Sequence, residues 1–330
     1  MNMPPIVSLI VPCYNEEKTI RILLDAFLVQ TYPLADMEVV IADGFSQDGT
    51  RKEIAAFQSE HPELTVTVID NAAKIIPAAL NAAIKASEGE IIIRMDAHSA
   101  PAPDYVERCV DALNAGLGDN VGGVWNIRPS ADGWVAEAIA AAAAHPLGVG
   151  DALYRHSTQA QIVDTVPFGA FRRELIDRIG LFDESLLANE DYEFNTRIRQ
   201  SGGNIWLDPA IRTVYFARPT FIRLAKQYFN YGYWKWKMLQ RYPETLRWRQ
   251  FLPPVFLLSL VFWFLLGVFY HLSFWVLSLE LILYFAVLFL AAIKIKKMGF
   301  PFAVVVMHIS WGSGLLWSAL NSIFKGTKNV

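Results

Sequence analysis

An aspartate and a histidine stand two positions apart where an apolar run ends: "EIIIRMDAH" carries Asp96 and His98 just after a β-branched stretch. Alternate residues leaving a strand can offer a carboxylate oxygen and an imidazole nitrogen to one ion, a mixture that suits Mn²⁺ well and Mg²⁺ less well. Three more polar clusters follow the same logic. "PCYNEE" comes after "IVSLIV", "DGFSQDGT" places Asp43 directly after "EVVIA", and "NEDYEFNTRIRQSGG" opens a helical pattern with Glu190 and Asp191. Each has an ordinary reading on its own. Asp-Gly is a turn dipeptide, acidic residues favour a helix N-terminus, and a loop histidine needs no ligand. Together they weigh differently, because a set of carboxylates needs a counter-charge and a divalent cation is the economical one.

The elements that must position these clusters read as alternating strands and helices from residue 6 to about 216. "IVSLIV", "EVVIA", "TVTVI" and "EIII" fit buried parallel strands. Ile20, Leu23, Leu24, Phe27 and Leu28 recur at helical spacing, with Asn15 or Glu16 available to the helix start. "IPAALNAAIKAS" and "PDYVERCVDALNAG" predict two further helices, the second entered through Pro103 and left at Gly116. Such alternation predicts a doubly wound α/β sheet, which collects ligands at the carboxyl ends of its strands. That is where all four clusters fall.

The C-terminal part is a different material. "FLPPVFLLSLVFWFLLGVFYHL" and "FWVLSLELILYFAVLFLAAI" are each long enough to cross a bilayer core and read as a helical hairpin; "FPFAVVVMHISWGSGLLWSAL" is a third apolar segment. The expected spans are about 251–271, 274–293 and 300–320. Arg247 and Arg249 before the first, and Lys294, Lys296 and Lys297 after the second, predict a cytoplasmic location for both sites. A third full crossing would carry Lys325 and Lys328 outside, against that trend, unless the last segment is re-entrant. Between the two parts, "FIRLAKQYFNYGYWKWKMLQRYPETLRWRQ" interleaves rings with Lys and Arg, as suits a membrane interface. The expected division is therefore a catalytic part over 1–218, an interfacial segment over 219–250 and a membrane region over 251–330.

Formal net charge is −3, so no global field points to nucleic acid. The two cysteines, Cys13 and Cys109, lack metal-type spacing and suit a reducing compartment. The N-terminus has no basic segment followed by a long apolar one, so no signal peptide is expected. The expected location is the bacterial inner membrane, with the catalytic part in the cytoplasm.

The order "VPCYNEE", "ADGFSQDGT", "MDAH", "VPFGAFRRE" and "NEDYEFNTRIR" resembles glycosyltransferase family 2, and the later blocks resemble its bacterial exopolysaccharide enzymes of the succinoglycan type. The resemblance spans roughly residues 5 to 250. It implies a GT-A fold, a Rossmann-like, mostly parallel α/β sheet flanked by helices, followed by interfacial helices and a C-terminal transmembrane segment. It implies further that Pro12, Tyr14, Glu16, Asp43, Lys74 and Asp96 bind the donor nucleotide. Asp96 and His98 match the family's DxD signature, written here as DxH, and would hold Mn²⁺ or Mg²⁺. Asp191 matches the catalytic base. Glu190, Gly169 and Ala170 match the acceptor side, and "YWKWK", with Trp234 and Trp236, loosely resembles a motif of processive synthases. Ala97 is expected to be small so that a metal-bound diphosphate can approach.

The chemistry so implied is inverting transfer of a sugar from a nucleotide-diphosphate donor, such as a UDP-hexose, to a hydroxyl of a lipid-linked saccharide on polyprenyl diphosphate. Asp191, at a helix start, would take the proton and stay ionised at neutral pH unless heavily desolvated. Two alternatives stand beside this: a polyprenyl-phosphate sugar transferase, whose nucleophile needs no base, and an inactive membrane-anchored nucleotide-sugar binding protein.

Overall fold

The computed structural model describes residues 6–326. The chain divides into two compact units, Met1–Asn126 with His156–Tyr215, and Ile127–Arg155 with Phe216–Val330. The stretch from Ile127 to Arg155 thus groups with the C-terminal helices, although its sequence alone reads as part of the catalytic region.

The first unit is built on a parallel half-sheet of β1 (Val7–Cys13), β2 (Met37–Asp43), β3 (Thr65–Asp70) and β4 (Ile91–Arg94), in the spatial order β3-β2-β1-β4. Their register brings Cys13 level with Asp43 and Asp43 level with Asp70, so three strands end at one height. β1, β2 and β4 are β-branched runs with Leu9, Val40 and Ile92 sealed from solvent, as expected for strands covered on both faces. β3 departs from that expectation. It is the edge strand, with Val66 buried and Thr65 and Thr67 exposed, because only one of its faces is covered there.

The helices α1 (Ile20–Leu28), α2 (Thr50–Glu60), α3 (Ile76–Ala86) and α4 (Tyr105–Asn114) alternate with these strands. Burial of Leu23, Phe27 and Phe57 anchors α1 and α2, each such side chain contributing about 1.5–3 kcal/mol. α4 ends as expected at Gly116, whose φ of 67° only glycine adopts freely.

The rest of the sheet is antiparallel, and three of its five strands are too short to carry a sequence signal. They are β5 (Ser99–Pro101), β6 (Asn120–Pro129), β7 (Gln161–Val163), β8 (Ala170–Arg172) and β9 (Ile205–Ala217). β8 pairs with β4 and β6, while β9 pairs with β5 and β7. The sheet is thus mixed rather than doubly wound throughout. Helices α7 (Glu174–Ile179) and α8 (Glu190–Gln200) follow β8.

The second unit holds α5 (Trp134–Ala143), α6 (Pro146–Val149), α9 (Phe221–Leu239), α10 (Leu252–Phe269), α11 (Leu272–Ile295) and α12 (Phe300–Gly326). Three stretches, Trp248–Phe269, Leu272–Ile295 and Phe300–Phe324, are long and apolar enough to cross a membrane. α10 and α11 form the expected antiparallel hairpin, stitched by Ser259 Oγ donating to Glu280 at 2.5 Å and by Phe256 stacked on Tyr284. α12 is more deeply packed than either. It runs beside α9 so closely that a Cβ on Gly314 would lie 2.1 Å from the Phe229 carbonyl oxygen, and one on Gly232 would lie 2.0 Å from that of Trp311. α9 keeps one cation out of water: Lys235 is buried and donates to the Thr245 carbonyl at 3.0 Å.

Candidate active site

The four polar clusters come together at the carboxyl ends of β1, β2 and β4 and the start of α8. The first two loops are sewn to each other. Asn15 N donates to Ser46 Oγ at 2.8 Å, Gln47 N to Asn15 Oδ1 at 2.8 Å, and Glu16 N to Thr50 Oγ1 at 2.8 Å. Asn15, Phe45, Lys74 and Asn189 all hold positive φ in these loops, a costly conformation for such residues that the surrounding structure must enforce.

Asp43 has no exposed surface. It accepts from Ser46 N at 3.1 Å, Ser46 Oγ at 2.5 Å and Arg51 Nε at 2.6 Å, and Arg51 also reaches Asp70 at 2.5 Å. In this state its carboxylate orders the loop. Tyr14 is exposed beside it, with its ring 3.2 Å from where a Cβ on Gly44 would stand. Phe45, which sequence reasoning missed, is exposed between the Arg51 guanidinium and the Lys74 ammonium, each 5.8 Å from its ring. A large aromatic inside an otherwise polar turn, "DGFSQDGT", was the available signal. Pro12 lies in β1, paired with Ala42.

Asp96 and His98 leave β4 together. Asp96 is one-fifth exposed, and its carbonyl accepts from Ser99 N at 3.1 Å and Ser99 Oγ at 2.7 Å, which fixes the turn. His98 Nδ1 stands 3.2 Å from Glu16 Oε1, and its ring faces Tyr215 at 6.0 Å, itself stacked on Trp125. A carboxylate at Nδ1 orients the ring, as carboxylates do behind many histidine ligands. Ala97, between Asp96 and His98, is buried. Among the described residues, no group of three or more His, Cys, Asp and Glu side chains forms a closed cation cage. An oxygen and a nitrogen from two residues still fit an ion that keeps several waters and takes its other ligands from a substrate phosphate.

Behind this pair lies Arg94, a second residue that sequence reasoning missed. It is buried, and its Nη2 donates to Glu190 Oε1 at 2.8 Å and to Asp96 Oδ1 at 3.4 Å. One guanidinium thus ties the end of β4 to the start of α8. Glu190 is buried and engaged with Arg94, so the structure uses it as an internal counter-ion. Asp191 stays partly accessible, with Tyr192 N donating to its Oδ1 at 2.8 Å. Burial, followed by the neighbouring Glu190 carboxylate, pushes the Asp191 carboxyl up to about 7, and Arg94 pulls against that rise. Desolvation, the condition attached to its ionisation, thus acts on a side chain that keeps some access to solvent.

Asp191, Arg94, Asn120 and Gly169 line a small cleft of about 10 Å³, roughly the space of one water. Arg94 Nε and Nη1 and Asn120 Oδ1 are buried there without a protein partner. Gly169 is a glycine for a steric reason: a Cβ would lie 2.1 Å from Asn120 Oδ1. Ala170 is fully buried in β8, opposite Ile93 and Val121. Trp234 and Trp236 belong to α9 of the second unit, where Trp236 Nε1 donates to Ser322 Oγ at 3.1 Å.

The sequence profile described as Glycosyl transferase family 2 matches residues 8–180. The succinoglycan biosynthesis protein ExoA of Rhizobium meliloti (strain 1021) is 32% identical over 248 residues, covering 74% of this chain and 73% of that protein. The chain belongs to glycosyltransferase family 2. The glycosyltransferase is also 26% identical, over 73% of its length and 76% of the relative's, to the Methanococcus voltae dolichyl N-acetyl-alpha-D-glucosaminyl phosphate 3-beta-D-2,3-diacetamido-2,3-dideoxy-beta-D-glucuronosyltransferase. Among solved structures, the mannosyltransferase PcManGT from Pyrobaculum calidifontis, in complex with GDP-Man and Mn²⁺, matches with a TM-score of 0.58 at 24% identity, covering 98% of this chain and 88% of that one. Residues 1–349 of S. aureus TarS, in complex with UDP-GlcNAc, give 0.51 at 18% identity over 69% and 66%. At these identities the two structures establish the GT-A fold, and with it the expected fold class.

Proposed function

We propose that this glycosyltransferase is an inverting, metal-dependent enzyme that moves a hexose from a nucleotide-diphosphate donor, a UDP-hexose, to a hydroxyl of a lipid-linked saccharide in exopolysaccharide assembly. The observation that carries it is Asp191: a carboxylate at the first turn of α8, tuned to about 7, in one cluster with Asp96 and Arg94. A base near neutrality serves a hydroxyl nucleophile and is surplus to a phosphate. The nucleotide ligands named in the solved relatives, together with the polysaccharide role in ExoA's name, support the donor and acceptor classes.

In this reading Tyr14, Phe45 and Lys74 receive the nucleotide on the loops that Asp43 orders, with Pro12 and Glu16 in the same wall. Asp96 and His98 would hold Mn²⁺ or Mg²⁺, which supplies positive charge for the donor diphosphate. Asp191 accepts the hydroxyl proton as the acceptor oxygen bonds to the anomeric carbon. The bond from that carbon to the diphosphate oxygen breaks on the opposite face, so the centre inverts. Gly169 keeps the acceptor side open beside Asp191. Trp234 and Trp236 would meet the lipid-linked acceptor from the interface.

The membrane arrangement belongs to the same proposal. The α10–α11 hairpin crosses the inner membrane with both ends cytoplasmic, while α12 lies along α9 at the interface. Arg223, Lys226 and Lys237 of α9 would each cost about 2.5–3.5 kcal/mol at a bilayer centre, so a helix packed along α9 stays near the headgroups. That keeps the C-terminal end of α12 on the cytoplasmic side and removes the charge conflict.

The test uses the full-length chain in detergent with nucleotide sugars and lipid extracts. Asp191→Asn should lose transfer while keeping nucleotide affinity. A near-normal rate would move the assignment to a polyprenyl-phosphate acceptor, and absence of transfer with every donor would favour a binding protein.

A further inference from the structure

A cavity of about 390 Å³ opens in the second unit where α11 turns into α12. Trp134 and Glu137 of α5 form one wall, Lys296, Lys297 and Met298 of the turn another, and Phe302 of α12 the floor. Its chemistry is divided. Trp134, Met298 and Phe302 are more than half exposed, a costly surface in water and a natural one against acyl chains. Lys297 Nζ is held by Glu137 Oε2 at 2.6 Å. Lys296 stands in the left-handed conformation at the end of α11, its N–H returned to the Ala292 and Ile293 carbonyls, and its side chain is exposed. Two ammonium groups against one carboxylate leave a single net positive charge in the cavity. Gly299 lets the wall close, since a Cβ there would lie 2.7 Å from that of Ala138 and 2.9 Å from the Trp134 ring.

We infer that this cavity is a site for the anionic phosphodiester headgroup of a membrane glycerophospholipid. The net charge matches one phosphodiester, and a volume of this order takes a headgroup but not its chains, which would leave across Met298 and Phe302. An indole beside two lysines is the composition of a membrane-water interface. The turn stands at the same end of the hairpin as Arg247 and Arg249, where anionic headgroups would be met. The inference rests on the membrane placement proposed above.

The test takes full-length protein in neutral detergent and measures binding of dihexanoylphosphatidylglycerol, dihexanoylphosphatidylcholine and inorganic phosphate by native mass spectrometry. Phosphatidylglycerol should bind in preference to phosphatidylcholine, and the Lys296→Gln/Lys297→Gln variant should weaken it by about tenfold. Lys296→Gln alone, which leaves the Glu137 ion pair intact, should give part of that loss. Glycosyl transfer in detergent should be unchanged in both variants, which reports a folded enzyme. Equal phosphatidylglycerol affinity in wild type and double variant would overturn the site. So would equal binding of the two lipids, or displacement of lipid by inorganic phosphate at the same concentration. Release of the chain from membranes by carbonate without detergent would overturn the placement itself, and with it this inference.

Discussion

Replacing Asp191 by Asn should raise stability and abolish transfer in one step. The amide is nearly isosteric, so packing is kept and only the ionisable group is lost. In the fold, burial and Glu190 raise the Asp191 carboxyl from 3.8 to about 7. A folded pKa above the unfolded one means that stability is greatest at low pH, where both states hold the proton, and is lost as pH rises through about 7. The span from 3.8 to about 7 corresponds to about 4 kcal/mol at alkaline pH. Asp191 is partly accessible, so screening by solvent should leave about 2 kcal/mol of that cost to be relieved. For a unit of this size that is about 4–8 °C in melting temperature. The assay is a series of melts of wild type and Asp191→Asn in EDTA from pH 5 to 8.5. The gap should already be open at pH 5, widen as pH rises towards about 7 and level off above it. Transfer should fall by about a hundred- to ten-thousand-fold, and the wild-type kcat/KM should show an acidic limb that levels off above about 7. A gap that does not change with pH would refute the desolvation argument, and an active variant would refute the base assignment.

Arg94→Met removes the counter-ion of a buried pair and should destabilise the first unit by about 3–5 kcal/mol, read by denaturant unfolding; Glu190→Gln added to it should restore much of the stability. EDTA should abolish transfer and Mn²⁺ restore it, Asp96→Ala should be nearly dead, and His98→Ala should shift metal preference. Full activity of either variant in chelator would remove the metal from the reaction. The whole chain should require detergent for extraction, whereas a truncation after residue 250 should bind anionic vesicles weakly and release with salt.

Much of the architecture is legible along the chain. Hydrophobic runs such as "EVVIA" and "EIII" declare themselves because a strand covered on both faces must be apolar, and a bilayer-crossing helix declares itself by length. The polar clusters at the ends of those runs mark the edge of the sheet where the proposed site lies, so Asp43, Asp96, His98 and Asp191 stand out as candidates by position and type. β5, β7 and β8 were not, because three residues carry too little pattern to separate a strand from a loop.

The sequence by itself determined the parallel half-sheet, the apolar hairpin and the set of side chains able to do chemistry, since composition and period are properties of neighbours along the chain. Tertiary structure alone decided what each of those side chains faces. Arg94 and Glu190 are 96 positions apart, yet their ion pair turns Glu190 into a counter-ion and crowds Asp191 into a site where burial raises its carboxyl. Gly169 is explained by Asn120, and the packing of α12 by α9, through backbone approaches that no local pattern encodes. Charge, desolvation and steric contact act through space, and the fold sets those distances.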